Sequence, residues 1–229
     1  SDVCSSDLQD DSVIKFSSQN QQKIVLRRSR GVAPNYSFEQ PKTNSQKLLC
    51  LGGDLKNTIT MVPNNQCYVS EYIGDLGNYE TYNRFDSTLK RYQTIFSFSP
   101  DVVVVDQHPS YENHKMIAAF SKSAIVKVQH HEAHFAAILG EKNLWSSEKK
   151  IMGIVWDGIG FGSESEIFGG EFFEYQDRKI KRIGHLDYFS WILGDKMSKN
   201  PKISALSISE NAAFFQDCFD ENEWKVYTK

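Results

Sequence analysis

Four consecutive valines between two aspartates, DVVVVD at residues 101–106, constrain this chain more than any other stretch. A run of β-branched side chains on both faces needs apolar cover on both, which predicts a central strand of a covered sheet. AIVKVQ (124–129) reads as a second buried strand, and HPSYENHKMIAAFSK between them turns helical by about Glu112. Alternating strands and helices put the chain in the α/β class.

The flanking sequence extends this pattern. KLLCLGG (47–53) is a buried-strand pattern ending in glycines, KNTITMV (56–62) alternates polar and apolar, and CYVSEYI follows the turn PNNQ, so three strands come first. Residues 78–97 carry Tyr82, Phe85, Leu89, Tyr92, Ile95 and Phe96 at helical spacing. HHEAHFAAILGEK predicts a helix that begins where AIVKVQ ends and stops near Gly140. IMGIVWDG (151–158), IFGGEFFEYQ and KIKRIGHLDYF predict three further strands, with GFGSESE as a loop, and ISALSISENAAFFQDCF predicts a helical tail. The whole is α/β with a mixed sheet. QKIVLRR (22–28) reads as a short strand before a linker, with a boundary near residues 35–46.

Composition excludes several classes. The 229 residues are 40% hydrophobic and 13% aromatic, so they can build a core and do not describe a disordered chain. A net charge of −3 carries no basic excess for nucleic acid. No apolar run approaches the roughly 20 residues of a membrane span. Four scattered cysteines without a CxxC pair predict a reducing, cytoplasmic compartment, with Cys50 and Cys67 as inert core thiols. The polar, acidic residues 1–10 are expected to stand apart from the fold.

Half of the six histidines fall in HHEAH (130–134). On a helix His130 and His134 share a face, so two imidazoles can grip one divalent cation, unless the pair is simply a polar helix surface. His131 and Glu132 project about 100° and 200° away; either is placed to orient a ligand or touch substrate, and His131 joins Asp157 as a candidate catalytic group. Two histidines are too few for a metal site and no compelling third donor stands out; Asp157 is one option, but it sits in a different motif. Three glycine-bearing turns follow strands or loops: LGGDLKNTI (51–59), WDGIGFGSESEIFGGEF (156–172) and LGDK (193–196). Each is either an ordinary turn or a cradle of backbone N–H groups for phosphate. Their candidate ligand-binding residues are Gly52, Gly53, Lys56, Asn57, Thr58, Gly158, Gly160, Gly162, Gly169, Gly170, Gly194 and Asp195. Arg27, Arg28 and Arg30 read as an anion clamp or a solvated face, and Asp106, His108 and Tyr111 are placed to line a cleft.

Taken in order, DDSVIKF, LRRSRGVAP, LCLGGDLKNTITM, YVSEYIGDLGNYETYNRF, VVVVDQHPSY, VQHHEAHFAA, IVWDGIGFGSESEIFGGEF and LGDK resemble the HypF family of carbamoyltransferases, which mature [NiFe]-hydrogenases. The resemblance runs over about residues 10–206. It implies a remnant of a YrdC-like α/β domain and linker over 1–40, and the first part of a Kae1-like domain with an actin-like ATPase (ASKHA) fold over 41–229. It further implies that a carbamoyl group passes from carbamoyl-adenylate, made from carbamoyl phosphate and ATP with Mg, to the C-terminal cysteine of a HypE-like acceptor protein. His130 and His134 match the family's metal pair, for Fe or Zn, and the glycine turns match its phosphate and carbamoyl-adenylate loops. No nucleic acid and no membrane are implied. Two features depart from the pattern. Leu193 replaces the first glycine of Gly-Gly-Asp, and the family's third metal ligand, an aspartate, belongs to a later segment. The chain therefore reads as an internal fragment that binds metal weakly and does not turn over alone. HHxAH also occurs in Kae1/TsaD tRNA threonylcarbamoyl transferases and antibiotic O-carbamoyltransferases, so a tRNA-modifying relative and a non-catalytic partner-binding module remain alternatives.

Overall fold

The structure is a computed structural model. It describes residues 11–35, 45–162, 166–190, 192, 197, 200–209 and 211–228. The mixed sheet predicted from the sequence is present as five strands. Strands β3 (Leu48–Cys50), β4 (Thr60–Val62) and β5 (Tyr68–Val69) form an antiparallel meander; β6 (Val102–Asp106) and β7 (Ala124–Val128) then add in parallel, giving the order β5-β4-β3-β6-β7. Ahead of this sheet, β1 (Val13–Phe16) and β2 (Lys23–Arg27) pair as a separate hairpin.

DVVVVD is the central strand its composition demands. Val103 and Val105 are buried while their neighbours are half-buried. α1 (Tyr79–Ile95) is started by Asn78, whose Oδ1 accepts the N–H of Glu80 at 2.9 Å and of Thr81 at 3.3 Å. Its buried Phe85, Leu89 and Tyr92 meet Leu49, Met61 and Val103 in one core. Residues Glu112–Phe120 are helical as expected but wound as a 3₁₀ helix. AIVKVQ differs from its expected burial. β7 is the edge strand, and Ile125 and Val126 are 37% and 43% exposed, because strand position decides burial and β-branching alone does not.

α2 (His130–Glu141) leaves the end of β7 and packs on a second sheet, formed by β8 (Ile151–Phe161), β9 (Ile167–Gln176) and β10 (Lys179–His185) in the antiparallel order β10-β9-β8. Phe135 and Leu139 of α2 join Phe173 and Tyr175 in a second core. β8 runs further than the sequence suggested. Asp157, Gly158 and Gly160 lie within the strand at a break in register between Trp156 and Gly160, and the loop begins only after Phe161. The helical tail comprises α3 (Pro201–Ile208), a 3₁₀ turn at Ala212–Cys218 and α4 (Glu221–Tyr227). No helix among the described residues is long and apolar enough to cross a membrane.

The segment after β2 is tied to the first sheet. Val69 N–H donates to the Pro34 carbonyl at 2.8 Å, Tyr72 N–H donates to the Arg28 carbonyl at 2.7 Å, and Asn35 bridges Tyr68. The Arg28 guanidinium donates to the backbone carbonyls of Val32 and Asn35, and Arg30 pairs with Asp11, so these cations serve local structure. The expected boundary near 35–46 falls largely on residues 36–44, outside the described residues.

Candidate metal centre

The site forms at the carboxyl ends of the parallel strands β3, β6 and β7, the edge at which open α/β sheets hold ligands. β6 and β7 are parallel neighbours in register, Asp106 opposite Val128, so Asp106 and the first turn of α2 end on the same edge. α2 is started by Gln129, whose side-chain oxygen accepts the Glu132 N–H at 3.0 Å. β8 crosses from the second sheet and brings Asp157.

Three ligand atoms converge there. His130 Nε2 and His134 Nε2 each lie 3.1 Å from Asp157 Oδ2 and 3.2 Å from one another. Metal–ligand bonds of about 2.1 Å at angles between octahedral and tetrahedral place donors roughly 3.0–3.4 Å apart, so the triangle fits one divalent cation. His130 Nδ1 lies 2.7 Å from Asp106 Oδ2. A carboxylate only accepts, so Nδ1 carries a proton toward Asp106; Nε2, facing Asp157, carries a second proton in the charged ring or offers its lone pair to a cation seated between them. Two imidazole nitrogens and a carboxylate oxygen at this separation repel unless a proton or cation lies among them. Both aspartates favour the charged ring: the Asp106 hydrogen bond outweighs burial and raises the His130 pKa. Burial acts against the Asp157 carboxylate, but the Gly158 N–H at 2.7 Å and the flanking imidazoles outweigh it and hold its pKa below the ordinary value. His130 is half-buried, whereas His134 and Asp157 are exposed, which leaves one side open to an incoming group.

The sequence-derived residues fall in different places. His130, His134 and Asp157 are brought together, Asp157 standing as a third donor. His131 faces away. It is fully buried, burial lowers its pKa, and its ring lies over Gly160, where an added Cβ would sit 2.4 Å from His131 Cε1. In the first glycine turn, Gly53 borders the metal centre, its Cβ position being 3.9 Å from His130 Cε1. Gly52 takes φ +71°. Asn57 is buried and turned inward, its amide donating to the Leu51 and Gly53 carbonyls at 2.8 and 2.7 Å; the Lys56 N–H is held by Asp75 at 3.0 Å. Thr58 is half-buried beside them. Gly158, Gly169 and Gly170, with Trp156, Phe168 and Leu186, line a pocket of 310 Å³ next to Asp157. The Gly162 carbonyl accepts from Gln107 at 2.8 Å, which ties the second sheet to the first. Gly194 and Asp195 lie outside the described residues.

Asp106 is the partner of His130 that spacing did not single out. The available signal was that DVVVVD and AIVKVQH would be adjacent parallel strands whose ends share an edge.

Comparison with known proteins gives a consistent family. Residues 43–141 match the HypF Kae1-like domain, and residues 153–227 match the second subdomain of the carbamoyltransferase Kae1-like domain. The chain is similar to carbamoyltransferase HypF of Synechocystis sp., 36% identical over 87% of this chain and 25% of that protein. It is also similar to probable carbamoyltransferase HypF of Methanocaldococcus jannaschii, 32% identical over 92% of this chain and 27% of that protein. A crystal structure of full-length HypF in the phosphate- and nucleotide-bound form superposes with a TM-score of 0.79 at 29% identity, covering 96% of this chain and 29% of that one. The chain thus spans about a quarter of the length of these relatives.

Proposed function

The chain belongs to the HypF carbamoyltransferase family, and from that premise we propose that it carries the metal-centred carbamoyl-transfer site of such an enzyme. The carbamoyl group of carbamoyl-adenylate, itself made from carbamoyl phosphate and ATP with Mg, passes to the C-terminal cysteine of a HypE-like acceptor protein. A C–S bond forms at the carbamoyl carbon, the bond to the adenylate phosphate oxygen breaks, AMP departs, and the thiol proton is lost to solvent. His130, His134 and Asp157 hold the cation, Fe or Zn. Bound there, it would act as a Lewis acid toward the carbonyl or phosphoryl oxygen. Gly53 lets the acyl end of the donor approach His130 closely. The aromatic pocket of Trp156 and Phe168 beside Asp157 suits the adenosine portion.

The observation that carries this reading is the 3.1–3.2 Å triangle of His130, His134 and Asp157 donors. On this reading Asp157 joins the two histidines as a third donor within the chain. Calorimetric titration of the 229-residue chain with Zn²⁺ is expected to give one site, lost in His134→Ala and in Asp157→Ala. A chain that takes up no metal sinks the reading. The transfer step is tested by giving the metal-loaded chain preformed carbamoyl-adenylate and acceptor, then weighing the acceptor for one added carbamoyl group. An unchanged mass confines this segment to binding.

A further inference from the structure

The turn after β6, DQHPSY, has one carboxylate for which the transfer chemistry names no task. Asp106 is held from several sides. Oδ2 meets His130 Nδ1 at 2.7 Å, and Oδ1 accepts the His108 N–H at 2.8 Å. Its backbone carbonyl lies 2.9 Å from His114 Nε2. The side chain is 7% exposed. Both carboxylate oxygens therefore have donors, and the group cannot turn without abandoning one of them.

We propose that Asp106 is a positioning residue that keeps the proton of His130 on Nδ1 and so presents the Nε2 lone pair to the cation. The proposal rests on the metal reading above. A neutral imidazole has one N–H and one lone pair, and the partner of one nitrogen decides what the other offers. Both ring nitrogens face carboxylate oxygen, but Asp106 Oδ2 is the nearer, 2.7 Å from Nδ1 against 3.1 Å between Nε2 and Asp157 Oδ2, so the neutral ring donates at Nδ1. The adjacent strand ends make this a fixed feature: β6 delivers the carboxylate and β7 delivers the ring, in register.

Asparagine at 106 exposes the logic, because it is isosteric but has one oxygen. If that oxygen keeps the His108 N–H, the amide NH₂ faces His130 Nδ1 and forces the proton to Nε2, closing the metal-binding lone pair. If the oxygen turns to His130, two donors oppose each other at His108. Partners of this kind are worth about 10–100-fold in metal affinity.

The test compares the unaltered chain with Asp106→Asn, each checked for fold by far-UV circular dichroism. Nitrogen-15 NMR of the metal-free protein, in alkaline buffer where the ring is neutral, is expected to show His130 protonated at Nδ1 in the unaltered chain and at Nε2 in the variant. Zn²⁺ affinity, by competition with a chromophoric chelator, is expected to fall by about 10–100-fold. Identical tautomers in the two proteins, or an unchanged affinity, would overturn the proposal. Should the unaltered chain bind no Zn²⁺, the metal reading fails, and the nitrogen shifts, which need no metal, still decide whether Asp106 sets the tautomer.

Discussion

Gly153→Ala should destabilise this protein although alanine is ordinarily the better residue inside a strand. Without a neighbour the exchange gains roughly 0.5–1 kcal/mol, because glycine loses more backbone freedom on folding. Here the added Cβ would lie 2.4, 2.5 and 2.8 Å from Cδ2, Cε2 and Cγ of Phe135. Ordinary carbon contacts are about 3.5–4.0 Å, so the ring must retreat by roughly 1 Å. It has little room: Phe135 is 4% exposed and stacks on Phe173, the residue opposite Gly153 in the sheet, at 6.0 Å between centroids and 22°. Overpacking of this kind costs about 1–3 kcal/mol, roughly a 5- to 150-fold loss in the folded-to-unfolded ratio. Urea unfolding followed by tryptophan fluorescence reads it, since Trp145 packs edge-on against Tyr175 of the same core. The decisive variant is Gly153→Ala with Phe135→Leu. Removing the ring gives the methyl group space, so the double variant should lose less than the sum of the singles by about 1 kcal/mol or more. Additive losses, within roughly 0.5 kcal/mol, would show that the Cβ is not opposed by Phe135 and would refute the reasoning.

Acid stability should depend on Glu71. Burial acts against its carboxylate, but the Tyr92 hydroxyl at 2.7 Å and Arg91 at 2.5 Å outweigh it and hold the pKa below the ordinary value. A depressed folded-state pKa contributes stability that is present above the unfolded value, near ~4.3, and is lost as pH falls through the folded one. Melting temperatures of the unaltered chain should therefore drop more steeply below that pH than those of Glu71→Gln; parallel curves would remove Glu71 from the acid limb. Gly160→Ala places a Cβ 2.4 Å from His131 Cε1 and 3.2 Å from His130 Cβ, so it should cost about 1–3 kcal/mol and also weaken Zn²⁺ binding. Unchanged metal affinity would uncouple that contact from the site. Burial pushes the thiols of Cys50 and Cys67 up to about 12 and about 11, whereas Cys218 is exposed. Iodoacetamide on the native chain, read by peptide mass spectrometry, should label Cys218 well before the other two; early labelling of Cys50 would contradict this.

Much of the fold was legible because periodicity and local chemistry agree with it. DVVVVD could only be central, and the helical spacing from Tyr82 to Tyr92 marks the face that reaches the core. AIVKVQ has the composition of a covered strand but lies at the edge, since neighbours in space decide cover. WDGIGF looked like a strand followed by a loop because glycines punctuate it, yet the strand continues through a break in register, which no side-chain pattern announces. At the site, the histidine pair was readable from one helical turn. Asp157 was visible as a carboxylate at a strand end, but its place beside His130 depends on how α2 packs against β8, a contact between segments far apart in sequence. Asp106 was readable as a cleft residue, but its bond to His130 was hidden for a similar reason, as the two meet only through the parallel pairing of β6 with β7.

That packing gives two glycines of β8, one of them in the second turn, a meaning apart from phosphate. Gly153 and Gly160 lie on β8 under two rings of α2, Phe135 and His131, and each position lacks room for a methyl group. Absence of a Cβ is what lets the helix bearing two of the candidate donors settle against the strand bearing the third. Phosphate loops and close helix–strand packing both ask for glycine, so the same letters fit either need. Position separates them. A glycine beneath a buried ring is fixed by packing whatever ligand passes nearby, whereas a Cβ at Gly53 would meet only ordinary contacts, 3.6 Å from Tyr111 Cε2 and 3.9 Å from His130 Cε1. The distances in the metal triangle are accordingly a property of the second core as much as of the three ligands. Substitutions at its glycines should reach the metal through the helix, without touching any atom that would bind it.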